Sequence, residues 1–419
     1  MTKLKSDFLN IMMERGFFNQ CTNLEGLDEL LTKEKVTAYT GFDPTADSLH
    51  VGHLIPHMMM RWFQKCGHEP IVLAGGVTGM IGDPSGKDES RQLVSEDFLN
   101  NNIKSIGKFF NNIYQFKDAS GIHKASMVNN ADWLRNLNYI EFLRDYGSHF
   151  SVNRMISMES VKMRLERESH LSFLEFNYMI LQGYDFLHLY RERNCRLQIA
   201  GSDQWGNVVQ GVELGRRLEK SELFGFTAPL LLTSSGKKMG KTEGGAVWLN
   251  EDRLSNYDFY QFWRNTEDKD VGKMLKIFTE MPMEEIAKLE KLKGADINEA
   301  KKILAFEVTK LCRGETSAHD AAETARKTFE EGTATEGLPT IKLSKKQLAD
   351  GISVVELFKE AGLGESNGEV RRLIAGGGAK VNDVKIESDT QTITTADLQD
   401  GGTMKLSSGK KKHVLVIIE

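Results

Sequence analysis

Residues 39–53 read YTGFDPTADSLHVGH, an apolar strand pattern that passes through glycine, proline and aspartate into the start of a helix. His50 and His53 stand three residues apart at that start, so they share one helix face. The stretch therefore predicts a strand, a loop, and a helix whose first turn presents two imidazoles. Three interpretations are open at this point: a metal site, a phosphate site, or a helix face that carries histidine without a ligand.

Length and composition set the class of protein. The chain has 419 residues, which predicts two or three domains, and 40% hydrophobic with 27% charged residues is ordinary for a soluble protein. Four scattered cysteines without a CxxC pair are typical of buried thiols. We expect no membrane span and a cytoplasmic protein, because no apolar run is long enough and charges interrupt the first residues. A net charge of -5 means that any nucleic-acid contact must use local patches.

Short apolar runs alternate with helical patterns through the first two thirds of the chain, which predicts an α/β fold with a parallel sheet and crossover helices. We expect helices at 95–114 and 172–193. Ligands of such sheets bind beyond the carboxyl ends of the strands. The candidate strands are VTAYTGF (36–42), PIVLAGG (70–76), SMVNNADW (126–133) and RLQIAGS (196–202).

The last third of the chain changes character. Residues 250–331 are poor in strand patterns and show helical periodicity, which indicates a separate all-helical domain. Glycine, threonine and proline then mark a linker at 332–348. Residues 349–419 predict a small α+β domain with short helices at 353–361 and 367–375, followed by β-hairpins.

The metal interpretation of the opening stretch depends on a third ligand. His50, His53 and His57 stand at i, i+3 and i+7, so one helix face could present all three to zinc. Pro56 lies between the last two histidines, and its ring is expected to clash with the carbonyl of Gly52 and kink the helix. The proline therefore argues against a three-histidine site.

The phosphate interpretation depends on the helix start. Asp47 or Ser48 is a suitable N-cap, which would place the histidines in the first turns, where backbone N–H groups and the helix dipole favour an anion. Gly52 leaves bare backbone, so a ligand can approach closely.

A second glycine-rich stretch, AGGVTGMIGDPSGK (74–87), resembles two nucleotide motifs and matches neither. Its glycines have the wrong intervals for G-x-G-x-x-G, and Gly86-Lys87 is followed by aspartate instead of serine or threonine. What remains is a turn that carries Asp83, followed by Lys87 and Arg91 in a polar loop. A simple tight turn with a capping aspartate explains this stretch equally well.

Two later stretches complete the set. LQIAGSDQWGN (197–207) ends a strand at Asp203, where a carboxylate can accept hydrogen bonds from ribose hydroxyls. TSSGKKMGKTEGGAVWL (233–249) places Lys237, Lys238 and Lys241 among glycines. Such a run is either a solvated loop or a loop that brings positive charge to phosphates during a reaction.

Together these motifs are far more specific than any one of them. YTGFDPTADSLHVGH, GDPSGK, FNYMILQGYD, GSDQWGN and KKMGKTEGG resemble the bacterial-type tyrosyl-tRNA synthetases, a class I aminoacyl-tRNA synthetase family. LFKEAGLGESNGEVRRLIAGGGAKVND resembles an S4 RNA-binding domain. The resemblance implies a Rossmann-like catalytic domain at 1–249 with a dimerisation insertion at about 118–195, a helical anticodon-binding domain at 250–331, and an S4-like domain at 349–419 after the linker.

The resemblance also implies a reaction and its partners. L-tyrosine would be activated with ATP, present with Mg²⁺ as a substrate, and then transferred to tRNA(Tyr) by a cytoplasmic homodimer without a tightly bound protein-ligated metal. Val51 replaces the isoleucine of the family's usual H-I-G-H signature. Gly240 and Thr242 replace the serines of K-M-S-K-S.

Matched positions imply the site residues. The catalytic set is His50, His53, Thr45, Lys87, Arg91, Lys238 and Lys241. The tyrosine-binding set is Tyr39, Asp83, Tyr178, Gln182 and Asp185. The ATP-binding set is Asp43, Gly52, Asp203, Gln204 and Lys241. The RNA-binding set is Arg371, Arg372, Lys380, Lys410, Lys411 and Lys412.

Two rival functions are open. A catalytically silent relative would use the same folds only to bind RNA, but it would have no need of His50, His53 and the lysine pair. A tryptophan-specific relative or a small nucleotidyltransferase would share H-x-G-H. Tyr39 with Asp185 argues against tryptophan, and the helical and S4-like domains argue against the transferase.

Overall fold

The computed structural model describes residues 4–85, 94–116, 124–234, 236, 239–242, 245–328, 338–399, 402–409 and 412–418, with only the backbone of residues 241 and 242. The chain forms two compact units. The first comprises Met1–Gly240, Ala246–Arg253 and Glu267–Gly294. The second comprises Lys241–Gly245, Leu254–Thr266 and Ala295–Glu419.

A six-stranded sheet forms the centre of the first unit. Its order is β1-β6-β5-β2-β3-β4, and all neighbours are parallel except the β1–β6 pair. The chain order reverses at β2, which lies between β3 and β5, so a ligand crevice is expected at the carboxyl ends of β2 and β5. The strands are β1 Gln20–Cys21, β2 Thr37–Phe42, β3 Glu69–Ala74, β4 Ser126–Asn129, β5 Cys195–Gly201 and β6 Phe224–Ala228.

Helices connect these strands and cover the sheet. The predicted helices at 95–114 and 172–193 are α5 and α10, and each begins at a serine whose side chain accepts a backbone N–H. The helices in this part of the chain are α1 Asp7–Arg15, α2 Leu24–Lys33, α3 Val51–Lys65, α4 Thr78–Ile81, α5 Glu96–Ile113, α6 Ala131–Leu134, α7 Tyr139–Asp145, α8 Val152–Ile156, α9 Glu159–Glu166, α10 Phe173–Arg193 and α11 Trp205–Leu218.

The predicted strand at 126–133 is wrong in its second half. The strand ends at Asn129, whose side-chain oxygen accepts the backbone N–H of Ala131 at 3.0 Å. This local hydrogen bond turns the chain out of the sheet and into α6.

The helical segment after residue 250 is shared between the two units. Its helices α12, α15 and α16 pack against one another in the second unit, whereas the residues of α13 and α14 belong to the first. The domain boundaries at 249, 331 and 348 stay predictions. The helices are α12 Asn256–Arg264, α13 Val271–Phe278, α14 Met283–Leu289, α15 Ile297–Arg313 and α16 Glu315–Arg326.

A second sheet, of order β12-β11-β14-β15-β9, lies in the carboxyl-terminal part of the second unit. Apolar side chains of α18 and α19 pack with those of β11, β14 and β15 in one core. The elements are β7 Lys241–Thr242, β8 Gly245–Ala246, β9 Thr340–Leu343, α17 Lys345–Ala349, β10 Ile352–Ser353, α18 Val354–Glu360, α19 Asn367–Ala375, β11 Ala379–Val381, β12 Val384–Lys385, β13 Thr392–Ile393, β14 Thr403–Ser408 and β15 Lys412–Ile418. Within the described ranges, no helix is both long and apolar enough to cross a membrane.

Candidate active site

The two histidines of the opening stretch organise the start of α3. His50 is the N-cap, and its Nδ1 accepts the backbone N–H of Gly52 at 3.1 Å. The backbone N–H of His50 in turn donates to Nδ1 of His53 at 3.3 Å. A nitrogen that accepts an N–H carries no proton, so the proton of each neutral ring is on Nε2. Both rings therefore present an Nε2–H donor beside a helix amino terminus, as an anion site requires.

The predicted capping residues are wrong. Ser48 accepts the backbone N–H of Asn250 at 3.0 Å and donates to the carbonyl of Leu49, while Asp47 pairs with Arg253. Because both side chains are engaged with neighbouring segments, the imidazole of His50 takes the capping position.

The third histidine of the helix has a different role. His57 is buried, and its Nδ1 lies 2.6 Å from the hydroxyl of Tyr114. Burial lowers the pKa of His57 to about 3, so the ring is neutral. Helix α3 continues through Pro56. In the part of the chain that the structure describes, no three His, Cys, Asp or Glu side chains are grouped as metal ligands.

Segments far apart in sequence meet at this helix start. The backbone N–H of Val51 donates to the carbonyl of Val247 at 3.0 Å, and Val247 donates to Gly240 at 2.9 Å. Gly240 has φ +96°, and a Cβ atom there would lie 3.0 Å from the backbone nitrogen of Gly52. The H-V-G-H signature and the segment after the lysine run are thus in direct contact. Lys238 lies outside the described residues, and only the backbone of Lys241 is described.

Tyr39 lies on β2 with 1% of its surface exposed. Its ring packs edge-on against Phe186 at 5.2 Å between centroids. Its hydroxyl has no hydrogen-bond partner among the described residues. Burial, and then the charge of Asp185, raise the pKa of Tyr39 well above its ordinary value, so the hydroxyl keeps its proton. A buried, unpaired hydroxyl is costly, and a ligand would supply its partner.

Asp185 on α10 is the carboxylate of this pocket. It is buried, and it accepts hydrogen bonds from Asn130 Nδ2 at 3.0 Å and Trp133 Nε1 at 2.7 Å. Burial raises the pKa of Asp185 to about 7, against the lowering effect of those two donors.

A hydrogen-bonded network joins Asp185 to the predicted ATP residue Asp43. Asn130 donates to Thr78 Oγ1 at 3.0 Å, and Thr78 donates to Asp43 Oδ1 at 2.8 Å. Tyr178 donates to Asp43 Oδ2 at 2.9 Å. The network therefore connects predicted tyrosine-binding residues with a predicted ATP-binding residue.

The carboxyl end of β5 brings together another predicted pair. Gln204 Nε2 donates to Asp83 Oδ2 at 2.6 Å and its own oxygen accepts from Asn207 at 3.0 Å. A Cβ atom on Gly201 would lie 2.6 Å from Asp203 Oδ1, so this carboxylate occupies space that only glycine leaves open.

The other predicted residues have simpler surroundings. Thr45 is exposed in the loop after β2, and its backbone N–H donates to the carbonyl of Asp43 at 2.8 Å. Gln182 is half-buried on α10, one turn after Tyr178. Lys87 and Arg91 lie outside the described residues.

The predicted RNA-binding residues lie on separate elements of the second unit. Arg371 and Arg372 are exposed on α19, Lys380 is on β11, and Lys412 begins β15. Arg371 pairs with Asp389 at 3.3 Å, but both side chains are exposed, so this ion pair has little energetic weight. Lys410 and Lys411 lie outside the described residues.

Sequence reasoning missed four residues of the pocket: Thr78, Asn130, Trp133 and Gln198. Asn130 and Trp133 directly follow β4, so the rule that ligands bind at the carboxyl ends of parallel strands could have found them. Gln198 is a polar side chain inside an apolar strand, and its buried Oε1 has no partner within the described ranges.

Comparison with known proteins identifies the family of this chain. Residues 31–330 match the family model described as tRNA synthetases class I (W and Y). The chain belongs to this family.

Individual relatives of this class I synthetase are tyrosine-specific members of the family. It is 56% identical over 416 residues to the tyrosine–tRNA ligases of Agrobacterium fabrum and Brucella abortus, with 99% of each chain covered. A C-terminally truncated Aspergillus nidulans mitochondrial tyrosyl-tRNA synthetase is similar in structure, with a TM-score of 0.70 and 31% identity over 78% of this chain and 95% of that one. The predicted fold class and the resemblance to bacterial-type tyrosyl-tRNA synthetases are confirmed.

Proposed function

We propose that this class I synthetase joins tyrosine to tRNA in two steps, in the crevice at the carboxyl ends of β2 and β5. The observation that carries the proposal is that Tyr39 and Asp185 are both buried and lie near enough for the charge of Asp185 to raise the pKa of Tyr39. Tyr39 offers a hydroxyl without a partner among the described residues, and Asp185 offers a carboxylate, which together suit a phenolic hydroxyl that both donates and accepts.

In the first step, a carboxylate oxygen of tyrosine attacks the α-phosphorus of ATP. A new P–O bond forms, the bond between the α-phosphorus and the bridging oxygen breaks, and pyrophosphate leaves. The attacking carboxylate is already ionised at neutral pH, so no general base is needed. The site must instead position the reactants and stabilise negative charge on the phosphate oxygens.

Two of the residues that would stabilise this negative charge, His50 and His53, lie at the start of α3. The Nε2–H groups of His50 and His53 would donate to phosphate oxygens, with the bare backbone of Gly52 allowing close approach. Lys238 and Lys241 would supply positive charge, and Lys87 and Arg91 would meet the pyrophosphate. ATP enters with Mg²⁺ as a substrate. Thr45 would contact the phosphates from the loop after β2.

The remaining ATP and tyrosine contacts follow from the strand ends. Asp203 and Gln204 would bind the ribose, and Asp43 would contact the nucleotide from the end of β2. The ammonium group of tyrosine would bind to Asp83, Tyr178 and Gln182, since a carboxylate and two side-chain oxygens suit a cation.

In the second step, a terminal ribose hydroxyl of tRNA attacks the carbonyl carbon of the tyrosyl adenylate. The new C–O ester bond forms as the bond between the carbonyl carbon and the phosphate oxygen breaks, the hydroxyl proton passes to the departing phosphate, and AMP leaves. We assign the RNA contacts of tRNA(Tyr) to residues 250–331 as the helical domain and 349–419 as the S4-like domain. Within the latter, the candidates are Arg371, Arg372, Lys380, Lys410, Lys411 and Lys412.

The predicted homodimer is supported by the exposed apolar side chains of the insertion at about 118–195. Large apolar side chains there have exposed fractions between 36% and 69%, which is unusual for a surface that faces only water. A second copy of the chain would cover them. They are Tyr139, Ile140, Val152, Ile156, Met163, Leu165, Phe173 and Leu174. The protein would act as a homodimer in the cytoplasm, where its tRNA substrate is found.

Exchange of labelled pyrophosphate into ATP tests the function directly. We expect exchange that depends on tyrosine, with tryptophan and phenylalanine as negative controls. Lys241→Ala should lower kcat by about a hundredfold, since loss of one charge-stabilising donor typically costs on the order of 3 kcal/mol. Tight RNA binding without any exchange would instead indicate the silent RNA-binding relative.

A further inference from the structure

Three charged side chains near the start of α13 form hydrogen bonds to residues 232 and 234, which directly precede the lysines at 237, 238 and 241. The backbone N–H of Ser234 donates to Asp270 Oδ2 at 2.9 Å, and its hydroxyl donates to Glu267 Oε2 at 2.8 Å. Lys273 Nζ donates to the carbonyl of Leu232 at 3.3 Å. These five residues all lie in the first unit.

Asp270 is the central residue of this group. It is the N-cap of α13 and 7% exposed, but its side chain makes no capping hydrogen bond to its own helix. An aspartate at this position ordinarily accepts an N–H of the first helical turn. Here the carboxylate accepts an N–H from a segment 36 positions earlier in the chain. The carboxylate of Asp270 therefore binds Ser234 and does not cap α13.

Helix α13 is itself fixed to the body of the first unit. The guanidinium of Arg15 donates to the carbonyls of Lys276 at 2.9 Å, Thr279 at 2.9 Å and Met281 at 2.6 Å. Three hydrogen bonds from one buried guanidinium hold the end of α13 in a defined place.

The next residue, Glu280, connects this segment to α3. Its carboxylate pairs with Arg61 at 2.6 Å and with Lys65 at 2.9 Å, both on the helix that begins at His50. The segment that follows α13 is therefore tied by Glu280 to α3, the helix whose N-cap is His50.

Residues 239 and 240, which follow Lys237 and Lys238, also form backbone hydrogen bonds within the first unit. The backbone N–H of Met239 donates to the carbonyl of Leu231 at 2.9 Å, and Gly240 accepts from Val247 at 2.9 Å. Lys237 and Lys238 are thus bounded by Ser234 on one side and Met239 on the other, and each boundary residue has a fixed partner in the first unit.

We propose that Asp270 is a positioning residue for tyrosine activation, which acts by fixing the stem of the loop that carries Lys238 and Lys241. The inference rests on the proposed role of those lysines at the phosphates. Displacement of a charged group by about 1 Å typically lowers a rate by up to about a hundredfold. Loss of the Ser234 anchor should therefore lower kcat for activation by about tenfold to a hundredfold. The KM for tyrosine should stay unchanged, because the hydrogen bond that Asp270 makes to Ser234 lies outside the pocket of Tyr39 and Asp185.

Two substitutions at this position separate the role in catalysis from a role in folding. Asp270→Ala removes the acceptor, whereas Asp270→Asn keeps an oxygen that can accept the Ser234 N–H. We expect the alanine variant to lose kcat in pyrophosphate exchange and the asparagine variant to recover most of it. Glu284→Ala, on the exposed first turn of α14, is the matched control and should have normal kinetics. A raised KM for tyrosine at unchanged kcat would overturn the inference, as would equal losses in both Asp270 variants.

A double-mutant cycle with Lys238→Ala tests whether Asp270 acts through the loop. We expect Asp270→Ala to have a smaller effect on kcat once Lys238 is absent, because only the contribution of Lys241 then depends on the Ser234 anchor. A full, multiplicative loss in the double variant would overturn the inference. If Lys238→Ala alone had normal kcat, the proposed role of the lysines would fail. Normal kcat in Asp270→Ala beside an impaired Lys238→Ala would overturn this inference only.

Discussion

A Cβ atom on Gly52 would lie 2.9 Å from Cε1 of His50. The imidazole of His50 lies over the backbone of Gly52 because it accepts that residue's N–H. The glycine of H-x-G-H is therefore needed for the position of the histidine before it, in addition to its proposed role at the nucleotide. A side chain at position 52 would displace the ring, which is the movable partner, rather than the helix.

Gly52→Ala should lower kcat for pyrophosphate exchange by at least tenfold and leave the affinity for tyrosine unchanged. The physical reason is the displaced Nε2–H donor of His50, while loss of the cap should destabilise the fold by only about 1 kcal/mol. Gly107→Ala on α5 is the control, since a Cβ there has its nearest contact at 3.9 Å. Normal kcat in Gly52→Ala would contradict the assigned role of His50.

Tyr39→Phe and Tyr114→Phe should have opposite consequences. The first removes a buried hydroxyl that has no partner within the described residues, so stability should hold or rise while tyrosine binding weakens by about tenfold. The second leaves Nδ1 of buried His57 without its 2.6 Å partner, so stability should fall by about 1–3 kcal/mol with tyrosine binding unchanged. Thermal unfolding and calorimetric titration measure both quantities. If tyrosine binding weakened in Tyr114→Phe and not in Tyr39→Phe, the assignment of Tyr39 to the tyrosine site would be wrong.

Tyrosine binding should tighten as pH rises through about 7. Burial raises the pKa of Asp185 to about 7, so the carboxyl takes up a proton as pH falls through that value, and the ionised carboxylate is the stronger hydrogen-bond acceptor for the phenolic hydroxyl. Affinity should fall by up to about tenfold for each pH unit below the pKa. Titration calorimetry across this range tests the sign. Phenylalanine, which has no hydroxyl to donate, should show no such gain with pH.

Charge among the exposed apolar side chains of the insertion should dissociate the proposed homodimer. Ile140→Asp with Phe173→Asp would place two carboxylates where the partner subunit's apolar surface is expected, and both wild-type residues are 69% exposed in the single chain. Analytical ultracentrifugation should show a monomer. Val384→Asp, on a residue 70% exposed in the second unit, should leave the dimer intact. A wild-type protein that sediments as a monomer would disprove the proposed assembly.

The sequence predicted four of the six strands of the first sheet, β2 to β5, because each contains an apolar run that ends in small or polar residues, whereas β1 and β6 were not predicted. It predicted a helix that begins shortly before His50, with Asp47 or Ser48 as the cap, whereas His50 is the cap and the helix begins at Val51. The side chains of Asp47 and Ser48 bond to residues 253 and 250, and no local pattern reveals a partner so far along the chain.

The pocket itself was predicted less completely. Tyr39 and Asp185 were named from the family resemblance, but the donors that hold Asp185 were not. Asn130 and Trp133 lie in a stretch predicted as strand, where they would have pointed to opposite faces. The turn at Asn129 brings both side chains to the same carboxylate, and that turn depends on a side-chain hydrogen bond that periodicity does not record.

The bonds between residues 48–51 and 247–250 also set an order of events during synthesis. The hydrogen bond from Asn250 to Ser48 spans 202 positions, and the N–H of Val51 has its partner on Val247. Domains form from the amino terminus as the chain leaves the ribosome, so a nascent chain has no partner for the start of α3 until this later segment has emerged. Products of interrupted translation that end shortly before residue 247 would contain all six strands of the first sheet but lack the partners of the proposed nucleotide site, and should bind neither ATP nor the adenylate tightly.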